Sequence, residues 1–521
     1  MLRKVEKRSI NFKSVFLSLS SAALLVLAFP NFQISIFAWL ALIPILYLIE
    51  NSSAGKAFIL SYLTGVFFFL GALYWLTYVS RLGYFILALY LALFFGLFGL
   101  FSNIFFKKFK NSRYAFLLCL ILPSLWVLTE FLRGTLLTGF PWCVLGYTQY
   151  KNPVLIQIAD ITGCYGVSFL IVMVNFVLYS FLIFLLKKAP KEKIIFLNIQ
   201  AVLLGITILV FISYANYRFG EREIDTGIRL SVVQGSIEQF KKWDPSYQNY
   251  IMVRYDTWTG EVARDKAELI IWPETAIPGF LDDDEIRSYL KEVAEANEAP
   301  LFTGAITYKS GAEKDYYFNS AVLFTRSGDI YRQYDKIHLV PLGEYIPFES
   351  RIPFFRNSIN TEIGDLTAGR EFTTFDIKAK DGRSYKYAAI ICFEDIFPDL
   401  ARHFARGGAD FLINITNDAW FKESGEQLQH AQASVFRAVE NRVAVIRAAN
   451  NGFSCLISPN GIIEDWVRDK DSGSIYAPGF KTFELKIKRG KTFYSAHGDV
   501  FVCACLLMIG CYFIDFCKIR I

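Results

Sequence analysis

Cys392 is the residue of this chain with the most evident capacity for covalent chemistry. The run Lys386–Ile391 before it predicts a buried β-strand, since it carries β-branched and aromatic residues and lacks Pro and Gly. The helical pattern Ile396–Arg406 follows closely, so the sulfur is expected at a strand-to-helix turn. Backbone N–H groups and the helix dipole favour an anion there, and we expect a thiolate. A buried, unreactive Cys is the commoner alternative for a single residue of this kind.

Three other polar residues, in two places, follow or flank apolar runs in the same half of the chain. Glu274 comes after the run Ile270–Trp272 and a Pro, so its carboxylate is expected beyond the edge of a sheet. Lys336 and Glu344 flank a short apolar stretch. A surface or helix-capping Glu, and a solvated Lys and Glu in an ordinary loop, are the alternatives. These runs alone leave open whether any of the three residues joins Cys392.

The pattern between residues 214 and 498 is that of a large α/β domain. Short apolar runs alternate with amphipathic helical segments, and the segment is long enough for a sheet covered by helices. Strands are predicted at Ile228–Gln234, Glu268–Trp272, Pro300–Thr307, Asn319–Thr325, Tyr387–Cys392, Asp410–Ile415, Val443–Ala448 and Ser454–Ser458. Helices are predicted at Tyr247–Lys266, Asp283–Asn297, Ile396–Arg406 and Glu426–Asn441.

The composition indicates a membrane protein, because 54% of the 521 residues are hydrophobic and 50 are Phe. A spanning helix needs about 20 mostly apolar residues. Eight spans are predicted, at Phe12–Phe29, Ile34–Ile49, Ala57–Val79, Tyr84–Phe106, Tyr114–Leu132, Gly166–Leu186, Ile194–Ser213 and Val500–Phe516. The first is expected to be a retained anchor and not a signal peptide, since it lacks a clear cleavage site and more spans follow. We therefore expect a seven-helix membrane domain (1–213), a large domain (214–498), and an eighth helix with a tail (499–521).

Basic residues near the ends of the predicted spans indicate the orientation of the chain. If the spans alternate, the N-terminus, the loop with Lys107 and Lys108, the loop with Lys187 and Lys188, and the tail with Lys518 lie on one side. The positive-inside rule makes that side cytoplasmic. The large domain is therefore expected outside the cytoplasm, which in a bacterium is the periplasmic face.

The net charge, the Cys residues and the His residues exclude several other classes. The net charge of +6 is explained by the basic loops, so nucleic acid binding is not expected. Of nine Cys, only Cys392 and Cys455 lie between residues 214 and 498, and we expect both to be unpaired. The four His residues show no metal-ligand spacing, so no metal site is predicted.

Several sequence strings resemble those of a known family. Four of them lie in the large domain: WPETA at 272–276, YDKIHLVPLGEYIP at 334–347, ICFED at 391–395 and NDAWF at 417–421. Together with Trp126–Gly134 and Thr138–Trp142 in the membrane part, they resemble the apolipoprotein N-acyltransferases of the nitrilase superfamily. The resemblance covers nearly the whole chain. It implies a nitrilase-like αββα sandwich inserted between transmembrane helices seven and eight of an eight-helix membrane domain.

The resemblance also implies a catalytic triad of Glu274, Lys336 and Cys392. Cys392 would attack an ester carbonyl and form a thioester, with Glu274 as the general base. Lys336 would stabilise the oxyanion together with the backbone N–H of Phe393. Some relatives carry Tyr at the position of Phe393, so no role for a hydroxyl group can be transferred to it.

Further residues complete the site that the resemblance implies. Glu344 is expected to hold Lys336 and polarise the site, and Glu394 is a candidate for a supporting role. Four aromatic residues are expected to contact substrate, namely Trp243, Tyr345, Trp420 and Phe421. The apolar segment Ile352–Phe355 is a further candidate for roofing the site. Buried loop packing is an equally good explanation for each of these aromatic positions.

The activity implied is transfer of an acyl chain from a membrane phospholipid to the N-terminal diacylglyceryl-cysteine amine of an apolipoprotein, the final step of lipoprotein maturation. No metal or organic cofactor is expected, and the expected location is the bacterial inner membrane. One alternative is a membrane-anchored amidase or nitrile hydrolase acting on small substrates, although an anchor alone would suffice for it. A scaffold or transporter-like protein with an inactive domain is another, and the intact triad argues against it.

Overall fold

The computed structural model describes residues 11–186, 193–311, 314–345 and 366–518. The chain forms two compact units. One comprises Met1–Asn216 and Asp499–Ile521, and the other comprises Tyr217–Gly498. The first unit is helical where it is described, and the second contains the β-sheets. The basic N-terminus, Lys187 and Lys188, and the predicted roof segment Ile352–Phe355 lie outside the described residues.

The helical unit consists mainly of long apolar helices. Before the sheet-containing unit these are α1 (Phe12–Ala28), α2 (Ile43–Glu50), α3 (Ala54–Ala72), α4 (Arg81–Phe109), α5 (Leu118–Thr135), α6 (Pro153–Ile156), α7 (Ala159–Thr162), α8 (Tyr165–Leu186) and α9 (Lys193–Phe219). Among the described residues, five helical segments are long and apolar enough to cross a membrane: Ala54–Ala72, Arg81–Phe109, Ala115–Thr135, Tyr165–Leu186 and Ile194–Phe219. Shorter apolar helices lie at the first, second and eighth predicted spans.

Two buried polar side chains of α5 hold the segment that follows this helix. Glu130 Oε1 accepts a hydrogen bond from the Leu145 backbone N–H at 2.7 Å. Arg133 donates to the carbonyl oxygen of Trp142 and, at 3.4 Å, to that of Cys143. Both side chains therefore satisfy main-chain groups that would otherwise be unpaired in an apolar setting.

Two six-stranded mixed sheets form the centre of the second unit. Their strands are β1 (Ile224–Gln234), β2 (Leu269–Ile271), β3 (Leu301–Lys309), β4 (Tyr316–Phe324), β5 (Ile330–Asp335), β6 (Thr374–Lys378), β7 (Ser384–Ile391), β8 (Phe411–Thr416), β9 (Ala444–Ala449), β10 (Cys455–Ile457), β11 (Ile463–Trp466) and β12 (Gly479–Ile487). The strand orders are β12-β1-β2-β3-β4-β5 and β11-β10-β9-β8-β7-β6. Strands β1 to β3 are parallel in one sheet and β7 to β9 in the other, with antiparallel neighbours on both sides.

The second unit also contains helices, and three of them pack on the sheets. Its helices are α10 (Gln239–Lys242), α11 (Gln248–Val262), α12 (Asp284–Ala296), α13 (Pro398–Arg406), α14 (Glu426–Asn441) and α15 (Phe493–His497), and α16 (Val500–Lys518) follows in the helical unit. Helices α11 and α12 pack on the first sheet, and α14 packs on the second. The inner faces meet where the Phe302 ring lies 5.0 Å from Phe375 and 5.5 Å from Tyr387. The layers follow the predicted αββα order.

The four strands that the sequence pattern did not predict are the outer strands of the two sheets. They are β5, β6, β11 and β12. An outer strand faces solvent on one side, so it lacks the continuous apolar run by which a central strand is recognised. In β5, for example, the first three residues are exposed and only Tyr334 is fully buried. The predicted central strands are present, with ends that differ by a few residues.

Candidate active site

Lys336 is the cation at the centre of a buried polar site. It directly follows β5, and its side chain is 1% exposed. Its Nζ lies 2.9 Å from Glu344 Oε1 and 3.6 Å from Glu274 Oε1. Burial opposes the charge of Lys336, but Glu344 and Glu274 outweigh it and raise its pKa above the ordinary value. Lys336 is therefore a permanent cation at neutral pH.

Asn319 joins the same two carboxylates from strand β4. Its Nδ2 donates to Glu274 Oε1 at 2.7 Å and to Glu344 Oε1 at 2.9 Å. Its backbone carbonyl accepts from the Lys336 N–H at 2.8 Å. One residue thus fixes the positions of both acids and of the lysine main chain.

Cys392 directly follows β7 and has an unusual backbone conformation. Its φ of 52° lies in the left-handed region, which residues with a side chain adopt rarely and at some cost. Its carbonyl oxygen accepts a hydrogen bond from Asn414 Nδ2 at 3.2 Å and lies 3.2 Å from His430 Nε2. These contacts hold the turn that presents the sulfur. Cys392 and Cys455 do not form a disulfide with each other, as the sequence predicted.

The Cys392 thiol is held in its protonated form. Burial and the Glu274 carboxylate raise the pKa of the thiol well above its ordinary value, although Lys336 and Thr416 act in the opposite direction. The turn geometry favours a thiolate, but burial and a neighbouring anion oppose it. A thiol in this state needs a base, and the nearby Glu274 can supply one.

Glu394 connects the Cys392 turn to the segment that carries the lysine. Its carboxylate accepts hydrogen bonds from the N–H groups of Ile391 and Ile337 at 2.7 Å and of His338 at 3.0 Å, and from the Tyr334 hydroxyl at 2.9 Å. Burial raises the pKa of Glu394 to about 7, against these hydrogen bonds. These hydrogen bonds favour the supporting role predicted for Glu394, which stays a prediction.

A second lysine, Lys242, lies at the site and was not among the predicted site residues. It ends α10, is 1% exposed, and donates from Nζ to the Glu274 backbone carbonyl at 2.9 Å. Burial lowers the pKa of Lys242 to about 8, while Glu274 and Cys392 act in the opposite direction. Its only sequence signal is a Lys next to Trp243, in a segment that resembles an exposed basic turn.

A group of buried charged residues lies behind the turn that presents the sulfur. Arg447 Nη1 is 2.7 Å from Asp395 Oδ2, and Arg447 Nη2 is 3.3 Å from Asp418 Oδ2. His430 Nε2 is 2.8 Å from Asp395 Oδ1, and Nδ1 is 3.1 Å from Asp418 Oδ1. Burial opposes the charge of His430, but Asp395 and Asp418 raise its pKa to about 10. Two cations thus face two anions in the interior.

Asp418, Glu426 and His430 lie close enough together that one metal ion could contact all three. The Arg447 guanidinium, however, lies 3.3 Å from Asp418 Oδ2 and 3.2 Å from His430 Nδ1. Because a guanidinium already supplies positive charge at this place, the donor set does not fit a resident cation.

The four aromatic residues predicted to contact substrate lie on segments next to the site. Trp243 follows Lys242 directly and is partly buried. Tyr345 follows Glu344, and its carbonyl accepts from the Leu342 N–H at 2.8 Å. Trp420 and Phe421 lie on the turn Asp418–Phe421, where Trp420 is 38% exposed. Their contact with substrate stays a prediction, as do the roles of the triad, of Glu344 and of the Phe393 N–H.

Asn319 and His430 are two more site residues that sequence patterns did not reveal. Asn319 lies inside a strand, where a polar side chain pointing at two acids has no distinctive spacing. His430 lies on α14, whose residues are almost all buried. The sequence signal for His430 is weak. Gln, Arg and Glu interrupt the apolar face of this helix, and such an interruption indicates polar contacts inside the protein.

Models of known protein families match both units of the chain. Residues 21–177 match the family model of the apolipoprotein N-acyltransferase N-terminal domain, and residues 229–473 match that of the carbon-nitrogen hydrolases. The second match covers every residue of the polar site described above and the strands of both sheets, except β12 and the first residues of β1.

Similar proteins match over most of their length. One from Geobacter metallireducens is 35% identical, covering 97% of this chain and 95% of the relative. One from Chlorobaculum tepidum is 30% identical, covering 96% of this chain and 95% of the relative. One from Shewanella oneidensis is 31% identical, covering 77% and 74%. All three are named apolipoprotein N-acyltransferase. With its helical unit, its αββα unit and these matches, the chain belongs to the apolipoprotein N-acyltransferase family.

Proposed function

We propose that the protein transfers an acyl chain from a membrane phospholipid to the N-terminal diacylglyceryl-cysteine amine of apolipoproteins through a thioester on Cys392. The observation that carries this proposal is the buried ion group of Lys336, Glu274 and Glu344 beside a protonated thiol. Family membership and the apolar helices support a lipid-handling enzyme.

In the first half-reaction, Cys392 attacks the ester carbonyl of the phospholipid. Glu274 accepts the thiol proton as the sulfur–carbon bond forms, and the carbonyl oxygen becomes an oxyanion. Lys336 and the Phe393 N–H stabilise this oxyanion, and one such donor typically contributes about 10²–10³ in rate. The carbon–oxygen bond then breaks, Glu274 returns its proton to the leaving alkoxide, and a lysophospholipid departs.

In the second half-reaction, the amine of the apolipoprotein attacks the thioester carbonyl. Glu274 accepts a proton from the amine, and Lys336 again stabilises the oxyanion. The carbon–sulfur bond breaks, and the Cys392 sulfur regains a proton from Glu274. An amide on the acceptor is the product, and the enzyme returns to its starting state.

Glu344 and Asn319 position Glu274 and Lys336 for proton transfer. Glu344 is the closer partner of Lys336, so the lysine charge is shared and Glu274 keeps enough basicity to accept a proton. The Asn319 amide orients both carboxylates. Both are positioning residues, since they act through Glu274 and Lys336.

Water would hydrolyse the thioester, so the site needs shielding. In this proposal Trp243, Tyr345, Trp420 and Phe421 contact the acyl chain and exclude water. Residues 214–498 form the catalytic domain on the periplasmic face of a bacterial inner membrane, between a seven-helix membrane domain (1–213) and an eighth helix with its tail (499–521). Trp243 directly follows Lys242, whose Nζ contacts the Glu274 carbonyl, and this position next to the site supports the contact between Trp243 and the acyl chain.

The test is a transfer assay with the full chain in detergent, a phospholipid labelled in one acyl chain, and a diacylglyceryl-cysteine peptide. We expect label on the peptide amine as a hydroxylamine-resistant amide, with one lysophospholipid released for each amide. Cys392→Ser and Cys392→Ala should abolish transfer. Cys455→Ala is the matched control, because Cys455 is a free, buried Cys of the same unit. Release of ammonia from small amides, without acyl transfer, would instead favour a hydrolase.

A further inference from the structure

We propose that Lys242 is a positioning residue of the acyl-transfer site, which fixes Glu274 through its main chain and favours negative charge on the Cys392 sulfur. The proposal rests on the function proposed above. It assigns a role to a second buried cation in addition to Lys336.

The main chain at Glu274 is fixed from two sides. On one side the Lys242 Nζ donates to the Glu274 carbonyl oxygen at 2.9 Å. On the other side Gly304 packs so closely that a Cβ there would lie 2.4 Å from the Thr275 nitrogen and 2.6 Å from the Glu274 Cα. Thr275 itself has a φ of 44°. The turn at Glu274 is therefore tightly constrained. Of its two constraints, the hydrogen bond from Lys242 is the one that also brings a positive charge.

The two lysines of the site differ in their partners. Lys336 lies within 4 Å of two carboxylates, so most of its charge is already compensated. The hydrogen bond of Lys242 goes to a neutral carbonyl group. Its charge nevertheless acts on both Glu274 and Cys392. Lys242 is thus a second cation, in addition to Lys336, that favours a negative charge on the sulfur.

Burying this ammonium is costly, which argues that the charge has a use. Removing an ammonium from water opposes its charged form, and burial lowers the pKa of Lys242 to about 8. A Met of similar length would fill the space without this penalty. The facing titratable groups are Glu274 after β2 and Cys392 after β7, with Lys336 after β5 acting on both.

The charge would matter at the moment when the thiol ionises. As the proton moves from Cys392 to Glu274, negative charge moves from the carboxylate to the sulfur. Lys336, which is paired with Glu344, favours the charged sulfur, and the Lys242 ammonium adds to this effect. Removing one nearby opposite charge typically changes a pKa by about one unit or more, which is about a tenfold change in thiolate at a given pH.

The experiment measures the rate at which iodoacetamide alkylates Cys392 in the full chain in detergent, by mass spectrometry of the Cys392 peptide. Lys242→Met removes the donor and the charge, Lys242→Gln keeps a donor without the charge, and Lys242→Arg keeps both. Lys241→Met is the matched control, because the adjacent Lys241 pairs with Glu238 at 2.6 Å near the surface. Cys455 is buried, so its protection from alkylation reports that the domain is folded.

At pH 7 we expect Lys242→Met and Lys242→Gln to alkylate about tenfold more slowly than the unmodified protein, and Lys242→Arg and Lys241→Met to stay within about twofold. Acylation by phospholipid should also fall above about pH 8 in the unmodified protein, where Lys242 loses its proton, and this fall should move to higher pH in Lys242→Arg. Unchanged alkylation in Lys242→Gln would overturn the proposal, because the lysine would then act only as a donor. A labelled thioester that still forms in the Cys392→Ser variant would have to lie on another cysteine, and it would refute the proposed function instead.

Discussion

The Lys336 ammonium lies 2.9 Å from Glu344 Oε1, which is closer than its 3.6 Å separation from Glu274 Oε1. The acid nearer to the lysine is thus not the one proposed as the base. A carboxylate paired tightly with a cation becomes a weaker base, because the cation favours its ionised form. The observed spacing therefore leaves Glu274 freer to accept a proton.

Glu344→Gln should slow acylation of Cys392, since the lysine would lose its closer anion and pair with Glu274. A tighter pairing with the cation favours the ionised carboxylate and makes it a weaker base, so we expect a loss of at least about tenfold in acylation rate. Single-turnover labelling by a phospholipid measures this rate. Glu371→Gln makes the same chemical change at an exposed position and should leave the rate unchanged. Equal rates for both variants would contradict the role given to Glu344.

Asn319→Asp should shift the pH dependence of acylation. The variant places a third carboxylate against Glu274 and Glu344, and like charges raise the pKa of a carboxyl group. The added like charge disfavours ionisation of the acid cluster, so the rising limb of the profile should move up by about one unit. Asn249→Asp, an exposed position on α11, is the control. A profile identical to that of the control would exclude the Asn319 contacts as determinants of basicity.

Arg447→Met should destabilise the protein strongly, because it leaves Asp395 and Asp418 as buried anions with one cation fewer. Breaking a buried ion pair by removing one partner typically costs about 3–5 kcal/mol. Thermal unfolding of the full chain in detergent should show a clearly lower Tm. Arg264→Met, which breaks an exposed pair with Glu261, should have almost no effect. A small change in both variants would mean that the buried charges contribute little to the fold.

The stability of the protein should depend on the protonation of His430. Its pKa is about 10 in the folded chain and 6.5 when unperturbed, so its contribution is fully present below about pH 6.5 and is lost as the pH rises towards 10. In His430→Gln this loss is absent. Over that range the unfolding free energy of the unmodified protein should fall by about 1.4 kcal/mol per pH unit relative to the variant. Parallel pH profiles would show that His430 is neutral in the folded protein.

The central part of the fold could be predicted from the sequence because buried strands leave a clear pattern. Tyr387–Ile391 is a continuous apolar run, and it forms most of β7. The outer strands could not be predicted in this way. β12, for instance, alternates buried and exposed residues with Lys and Glu on its exposed face, which is a different signal from the continuous apolar run of a central strand.

The site could be predicted only in part, and for a related reason. Glu274, Lys336 and Cys392 lie just after strand ends, in strings that resemble those of the family, and this resemblance is what predicted them together. Lys242 comes from a short helix and Asn319 from the middle of a strand. Only the fold brings Lys242 to the Glu274 main chain and Asn319 to the two carboxylates. The state of the thiol could not be predicted either, since burial and the charge of Glu274 are properties of the assembled site.

The most direct test of the account is the mass of the Cys392 peptide after the full chain has been incubated with a phospholipid of defined acyl composition, without acceptor. We expect one added acyl chain on Cys392, removed by neutral hydroxylamine, discharged by a diacylglyceryl-cysteine peptide, and formed more slowly in Glu274→Gln. An acyl chain on another residue, or transfer to the acceptor by a Cys392→Ala variant, would contradict it.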